Sequence, residues 1–224
     1  MTPGQDIARL AARAPLHAGL WLAVLTTALA GSLLRADERI WAYLIVCLVV
    51  TAVVAAVDRS VHFSNGLLWL LLAVGTLHLA GGLLPDPDGR GVLYDAWLLT
   101  HVLRVDQVVH AVGSAAGTWA SWQLLGTWLD LHRAPVRTQA VLAVLAGLGK
   151  GALNEALEFL AALHGGAVFV GGFENTGWDL VFDVAGCLGC AVFLVLSEAP
   201  RRPEPVSPHA SSEERRRGAA ASRV

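Results

Sequence analysis

GKGALNEALEF, residues 149–159, is the stretch on which the reading of the chain turns. It lies inside an apolar run from Thr138 to Leu163 that otherwise reads as a membrane-spanning helix. Lys150, Glu155 and Glu158 interrupt that run. An ionised side chain near the centre of a lone spanning helix costs roughly 2.5–3.5 kcal/mol, so three cost about 9, whereas each Leu, Val or Phe returns only about 0.3–0.6. The helix therefore needs polar partners from other helices, and charged groups in such a place are candidates for function.

Composition places the rest of the chain around this helix. Of 224 residues, 55% are hydrophobic and only 15% charged, with eight Trp against two Tyr. A soluble domain carries about 25% charge, and the Trp excess suits membrane-interface anchoring. Apolar runs at about 17–34, 40–57, 66–84, 105–128, 138–163 and 177–197 predict an all-α, polytopic transmembrane helical bundle of about six spans. Residues 1–16 read as a polar N-terminal lead, 17–198 as the membrane domain and 199–224, rich in Pro, Ser, Glu and Arg, as a disordered tail. Ala28-Leu29-Ala30 resembles a signal-peptide cleavage site, but the apolar run continues through Leu34 and favours a retained span. A formal net charge of −2, with no basic patch interleaved with aromatics, gives no footing for nucleic acid. The partner implied is the lipid bilayer. Arg in place of Lys everywhere but Lys150, together with abundant Ala, suits a GC-rich bacterial genome and hence a bacterial inner membrane.

Arginine placement orients the bundle. With both termini cytoplasmic, the inner segments hold Arg9, Arg13, Arg59, Arg133, Arg137, Arg201 and Arg202, and the outer loops hold Arg35, Arg39, Arg90 and Arg104. Two outer loops are longer. Residues 85–104 begin with the turn-rich PDPDGRG and continue as VLYDAWLLTHVL, which reads as a short interfacial helix. Residues 164–176, HGGAVFVGGFENT, are Gly-rich and suit a cover over the outer mouth, with His164 and Glu174 as solvated loop residues.

Polar residues of the late spans then fall into register. Asp106 and His110 are four apart and share a helix face with Gly113 and Gly117. Lys150, Asn154 and Glu158 form one stripe beside Gly147 and Gly151, with Glu155 close by; Asp179 and Asp183 share a face with Gly186. Glycines at such spacing let helices approach closely. The alternating direction of the spans brings all these groups, and His78, to a similar depth on the extracytoplasmic side. Clustered carboxylates cannot all stay ionised without cations. A His with several carboxylates suits Mg²⁺, Mn²⁺ or Zn²⁺, and equally a proton relay.

The ordered set D-x-x-x-H, E-x-x-E and D-x-x-x-D on consecutive late helices resembles the YjdF-type bacterial inner-membrane proteins and, more distantly, the VanZ-like proteins. The resemblance covers about residues 75–197 and picks out Asp106, His110, Glu155, Glu158, Asp179 and Asp183. It implies a multi-pass membrane protein and no particular reaction.

Three functions fit these residues. The first is a metal-dependent enzyme acting on a lipid or lipid-linked headgroup, with Asp106, His110, Glu158, Asp179 and Asp183 as ligands, Glu155 as general base and Lys150 as anion or charge partner. The second is a proton- or cation-coupled transporter using the same carboxylates, although no pair of broken helices in matching halves supports it. The third is a structural network: Glu155 and Glu158 paired with Lys150 to fix register, Asp179 in the first turn below an Asn175 or Thr176 cap, and His110, His78 and His101 as packing histidines. Cys187 and Cys190, inside an apolar helix, read as structural rather than redox cysteines. The orientation itself has a direct check. A fluorescent protein fused after Val224 should glow while alkaline phosphatase at the same place stays silent, and phosphatase inserted between residues 85 and 91 should be active; the reverse pattern would invert the bundle.

Overall fold

The computed structural model describes residues 2–89, 91–131, 134–165 and 172–197. Among them the chain forms α1 (Pro3–Arg13), α2 (Pro15–Leu34), α3 (Ile40–Val61), α4 (Asn65–Leu83), a 3₁₀ turn (Leu93–Asp95), β1 (Trp97–Leu99), β2 (Leu103–Arg104), α5 (Val105–Trp128), α6 (Val136–Gly165) and α7 (Gly172–Ser197). The expected tail, 199–224, and the middle of the Gly-rich loop, 166–171, lie outside the described residues, as does the His164 side chain.

The fold is an all-α membrane bundle. Helices α2, α3, α4, α6 and α7 are long and apolar enough to cross a membrane. Their outward faces carry rows of exposed large apolar side chains, such as Ile45, Leu48, Val49 and Val53 on α3 and Val181, Val184, Leu188, Val192 and Leu196 on α7. Apolar surface on this scale needs lipid to cover it. Helix α5 falls short on apolarity because it carries Asp106, Gln107, His110, Ser114, Thr118 and Gln123. Its 24 residues still reach about 36 Å at 1.5 Å per residue, enough to cross. It packs against α3, α4, α6 and α7, most extensively α7. A helix surrounded by other helices has no need to be apolar all round, and α5 supplies the sixth span.

Glycines allow that packing. A Cβ on Gly147 would run into Thr118 and Cys187, one on Gly151 into the Asp183 carboxylate, and one on Gly186 into the backbone of Ala111 on α5. Toward the C-terminal ends of α5 and α7 and the start of α6 the space is filled by Trp122, Ala143, Cys190 and Leu194. Cys47, Cys187 and Cys190 are free and buried. Elsewhere α2 lies on α3 and α4, with Trp21 packed on Gly75 and its indole N–H donating to Thr51 Oγ1 at 3.0 Å.

Three segments differ from the sequence reading. Residues 3–13 form an amphipathic helix rather than a plain polar lead, ended where Pro15 bars Ala14 from helical geometry (φ −130°, ψ 63°). Helix α1 is latched onto the end of α3: Arg9 Nη2 and Arg13 Nε donate to Asp58 Oδ2 at 3.2 and 3.1 Å, Arg13 Nη2 donates to Oδ1, and the Phe63 N–H donates to Oδ1 at 2.9 Å. Asp58 is fully buried and every lone pair direction it offers is used. The stretch VLYDAWLLTHVL is not a helix. It makes the 3₁₀ turn and an antiparallel hairpin in which Trp97 faces Arg104, closed by a turn with His101 at φ 59°. Pairing the strands seats the Arg104 guanidinium 4.6 Å from the Trp97 ring centroid, a cation–π contact that a continuous helix over these residues would break. Helix α7 starts at Gly172, five residues earlier than its apolar run, so Asn175 lies within the helix and is not its cap.

Two stability measurements follow. Removing a cation from a buried pair leaves an uncompensated charge, which costs about 3–5 kcal/mol. Arg13→Ala should therefore lower the melting temperature of detergent-purified protein more than Asp58→Ala does, because Arg9 and Arg13 are partly exposed and can rehydrate. On α7, Gly186→Val should cost at least the upper part of the ~1–3 kcal/mol typical of overpacking. Gly189→Val, where an added Cβ meets nothing within 4 Å, is the matched control and should be near neutral.

Candidate functional site

Two stripes of i,i+4 spacing face one another across the α5–α7 interface: Asp106, His110 and Ser114 on α5, and Asn175, Asp179 and Asp183 on α7. The glycine contacts hold the two helices close enough for these side chains to interlock. His110 is the hub. Its Nε2 lies 3.7 Å from Asp106 and 4.0 Å from Asp179, and its Nδ1 lies 3.4 Å from Asp183 and 3.6 Å from Glu155 of α6. Each ring nitrogen thus looks at a pair of carboxylates. The His110 side chain is 10% exposed, and Asp179, Asp183 and Glu155 are buried.

Asn175, which the sequence offered only as a helix cap, and Ser114, which sequence reasoning passed over, hold this arrangement. Asn175 donates through its amide to Asp106 at 3.0 Å and to Asp179 at 2.6 Å, clamping the two carboxylates that face Nε2. Ser114 donates its hydroxyl to Asp183 Oδ1. The signal for both was present as spacing: each extends its stripe by one helical turn. Even so, one oxygen each of Glu155, Asp179 and Asp183 is buried with no hydrogen-bond partner among the described residues.

The other expected residues lie around this group. Glu158 accepts from Asn154 at 2.7 Å. It forms, with His110 and Glu155, a second set whose candidate ligand atoms lie within 4.8 Å of one another; the first such set is Asp106, His110 and Asp179. The pairing of Lys150 with Glu155 and Glu158 that a structural network would use is not formed. Lys150 is exposed and makes no ion pair within 4 Å among the described residues. Its stem runs over Gly117 and its ammonium reaches the Gly113 position, beside Val74 of α4. Its chain runs along the α5 glycine groove from Gly117 toward Gly113, about one helical turn from His110, and stops short of an ion pair with the acids. His78 is tied up in packing. Tyr94 Oη lies 2.7 Å from its Nδ1, and the Tyr43 ring lies 5.0 Å away. Burial, with Tyr43, Asp106 and Glu158 near it, pushes the Tyr94 phenol well above its ordinary pKa range. His101 stacks on Trp97 outside the cluster, and Glu174 sits exposed in the first turn of α7.

The chemistry open to this group follows from its donors. Asp106–His110 and His110–Asp179 separations of 3.7 and 4.0 Å exceed a hydrogen bond. They fall within the ~4.2 Å that two ligand atoms can be apart when each sits about 2.1 Å from one ion. A neutral imidazole that offers Nε2 to a cation must carry its proton on Nδ1, where Asp183 and Glu155 stand ready to accept it. That is the carboxylate–histidine arrangement that fixes a metal-binding tautomer.

A family model described as "Predicted membrane protein (DUF2238)" matches residues 17–199. No curated protein and no solved structure matches the chain. The matched segment contains the six long helices and every member of the carboxylate–histidine cluster. That agrees with the resemblance to the YjdF-type proteins. The chain belongs to this family, DUF2238, an uncharacterised family of multi-pass membrane proteins.

Proposed function

We propose that the cluster binds a divalent cation and supports metal-dependent chemistry on a lipid or lipid-linked headgroup at the extracytoplasmic face of a bacterial inner membrane, with both chain termini inside. The observation that carries this reading is the set of orphaned carboxylate oxygens on Glu155, Asp179 and Asp183 around one histidine. Each unpaired buried acceptor costs about 1–3 kcal/mol, and of the eight such side-chain atoms among the described residues three are carboxylate oxygens gathered in this one cluster.

In this reading Asp106, His110 Nε2 and Asp179 are the inner ligands, and Asn175 sets the angle of both carboxylates. Asp183, fixed by Ser114, holds the His110 tautomer. Glu158 stands beside Glu155 and completes the acidic wall. A cation held there would supply Lewis-acid chemistry, lowering the pKa of a bound water, and Glu155, buried and 3.6 Å from His110 Nδ1, would be the residue to take a proton from it. One nitrogen and two carboxylates suit Zn²⁺ or Mn²⁺ better than Mg²⁺, which prefers oxygen ligands and retained waters. A transmembrane proton relay is less well supported: inward of Ser114 and Thr118 the bundle is filled by Trp122, Ala143, Cys190 and Leu194.

Metal analysis of detergent-purified protein should find about one Zn²⁺ or Mn²⁺ per chain, and Mn²⁺ titration should give a saturating paramagnetic signal. Asp106→Ala, His110→Ala or Asp179→Ala should abolish both, while Asp183→Asn weakens binding about 10–100-fold. In chelator-treated protein Asp179→Asn should leave the melting temperature unchanged or raise it, because it relieves a crowded, unpaired carboxylate. A protein that binds no divalent ion and loses stability with Asp179→Asn would establish the structural network instead.

A further inference from the structure

Above the cluster, a pocket of about 260 Å³ lies between the hairpin and the first turns of α5 and α7. Its walls include Trp97, Trp178, Arg104, Gln107, Glu174 and Asn175. Asn175 is the same residue whose amide bridges Asp106 and Asp179, so the pocket and the cluster share a wall.

The pocket carries one cation and one anion that the protein leaves unpaired. Arg104 rests on the Trp97 ring with no carboxylate within 4 Å among the described residues, and Glu174 is exposed with no cation within 4 Å among them. A guanidinium stacked on an indole keeps its edge N–H groups free, in the planar fork that suits a phosphate. The rim is apolar: Leu98, Leu99 and Val102 of the hairpin and Trp178 are all about half exposed or more. A hairpin that presents two leucines and a valine outward, beside tryptophans, belongs at the boundary between headgroups and acyl chains. The volume is at the small end for ligand sites, enough for a headgroup and not for a whole lipid.

We propose that this pocket seats the zwitterionic phospho-amine headgroup of a membrane phospholipid, its phosphate on Arg104 and its ammonium toward Glu174, with the acyl chains leaving over Leu98, Leu99 and Val102. The proposal rests on reading the cluster below as a headgroup-facing site, and it names the headgroup class. Charge decides between headgroups. A purely anionic phosphate would meet Glu174 at the lip and the Asp106–Asp179 pair through the floor, with only Arg104 in its favour. A zwitterion answers both signs, and it does so whether or not a divalent ion is bound.

The test uses the full chain in detergent and follows Trp fluorescence during titration with short-chain phosphatidylethanolamine, short-chain phosphatidylglycerol, phosphatidic acid or inorganic phosphate, each with EDTA and with Mn²⁺. Phosphatidylethanolamine should bind in EDTA at least ten-fold more tightly than phosphatidylglycerol. Arg104→Gln should weaken it ten-fold or more, with Arg104→Lys intermediate. Glu174→Gln, at an exposed position that does not endanger folding, should erase the preference over phosphatidylglycerol. Equal binding of the two lipids in EDTA, an unchanged preference in Glu174→Gln, or inorganic phosphate binding as tightly as the lipid would each overturn the proposal. Failure of the metal reading is seen separately, as absent Mn²⁺ binding beside an intact preference for phosphatidylethanolamine.

Discussion

An imidazole caught between two pairs of carboxylates sets the terms for the whole bundle. Charge taken out of water must be answered by charge or hydrogen bonds within the protein, and in a bilayer no solvent is at hand to do it. His110 faces acids on both nitrogens, and those acids come from α5, α6 and α7. Bringing three helices that close requires small residues where they cross. Gly151 leaves the room that Asp183 fills, and Gly186 lets α7 rest on the backbone of α5. The polar cluster and the glycines are therefore one device: neither makes sense in a membrane without the other.

The two ends of the molecule treat buried charge differently, and the contrast is informative. At one end Asp58 is buried beneath α1 and receives two arginines and a backbone N–H. Both Asp58 oxygens are answered, although Nε of Arg9 beside them is buried without a partner among the described residues. At the other end Glu155, Asp179 and Asp183 each keep an oxygen without a partner. Within a single chain the same physical cost is met in one place and left open in another. Three open carboxylate oxygens in one cluster are what the proposed cation would complete.

The polar helix α5 explains how such a site is housed. It is the least apolar of the long helices, yet it packs against four of the others. Helices α3, α6 and α7 turn leucines, valines and isoleucines to the lipid and, with α4, shield it. The hairpin before α5 then brings Trp97 and Arg104 beside the first turns of α5 and α7, where they line a pocket with Asn175.

Much of this was legible in the sequence because it depends on periodicity and length. Apolar runs near twenty residues require membrane helices, and spacings of four put Asp106 with His110 and Asp179 with Asp183 on shared faces whatever the fold. Alternating span direction was enough to bring those faces to one depth. What the sequence alone did not determine were the relations that hinge on where a helix begins and which way a side chain turns. Asn175 became a clamp only because α7 starts at Gly172, and Lys150 forms no ion pair with the acids because its stem follows the groove over Gly117 to Gly113. The hairpin replaced an expected helix because cross-strand pairing brings Trp97 and Arg104 into register. Arg9 and Arg13 entered the sequence reading only by their number, and Asp58 as their partner emerges only when α1 folds back on α3. Local pattern fixes which face a residue occupies; contacts between segments far apart in the chain are settled by packing, which no local pattern encodes.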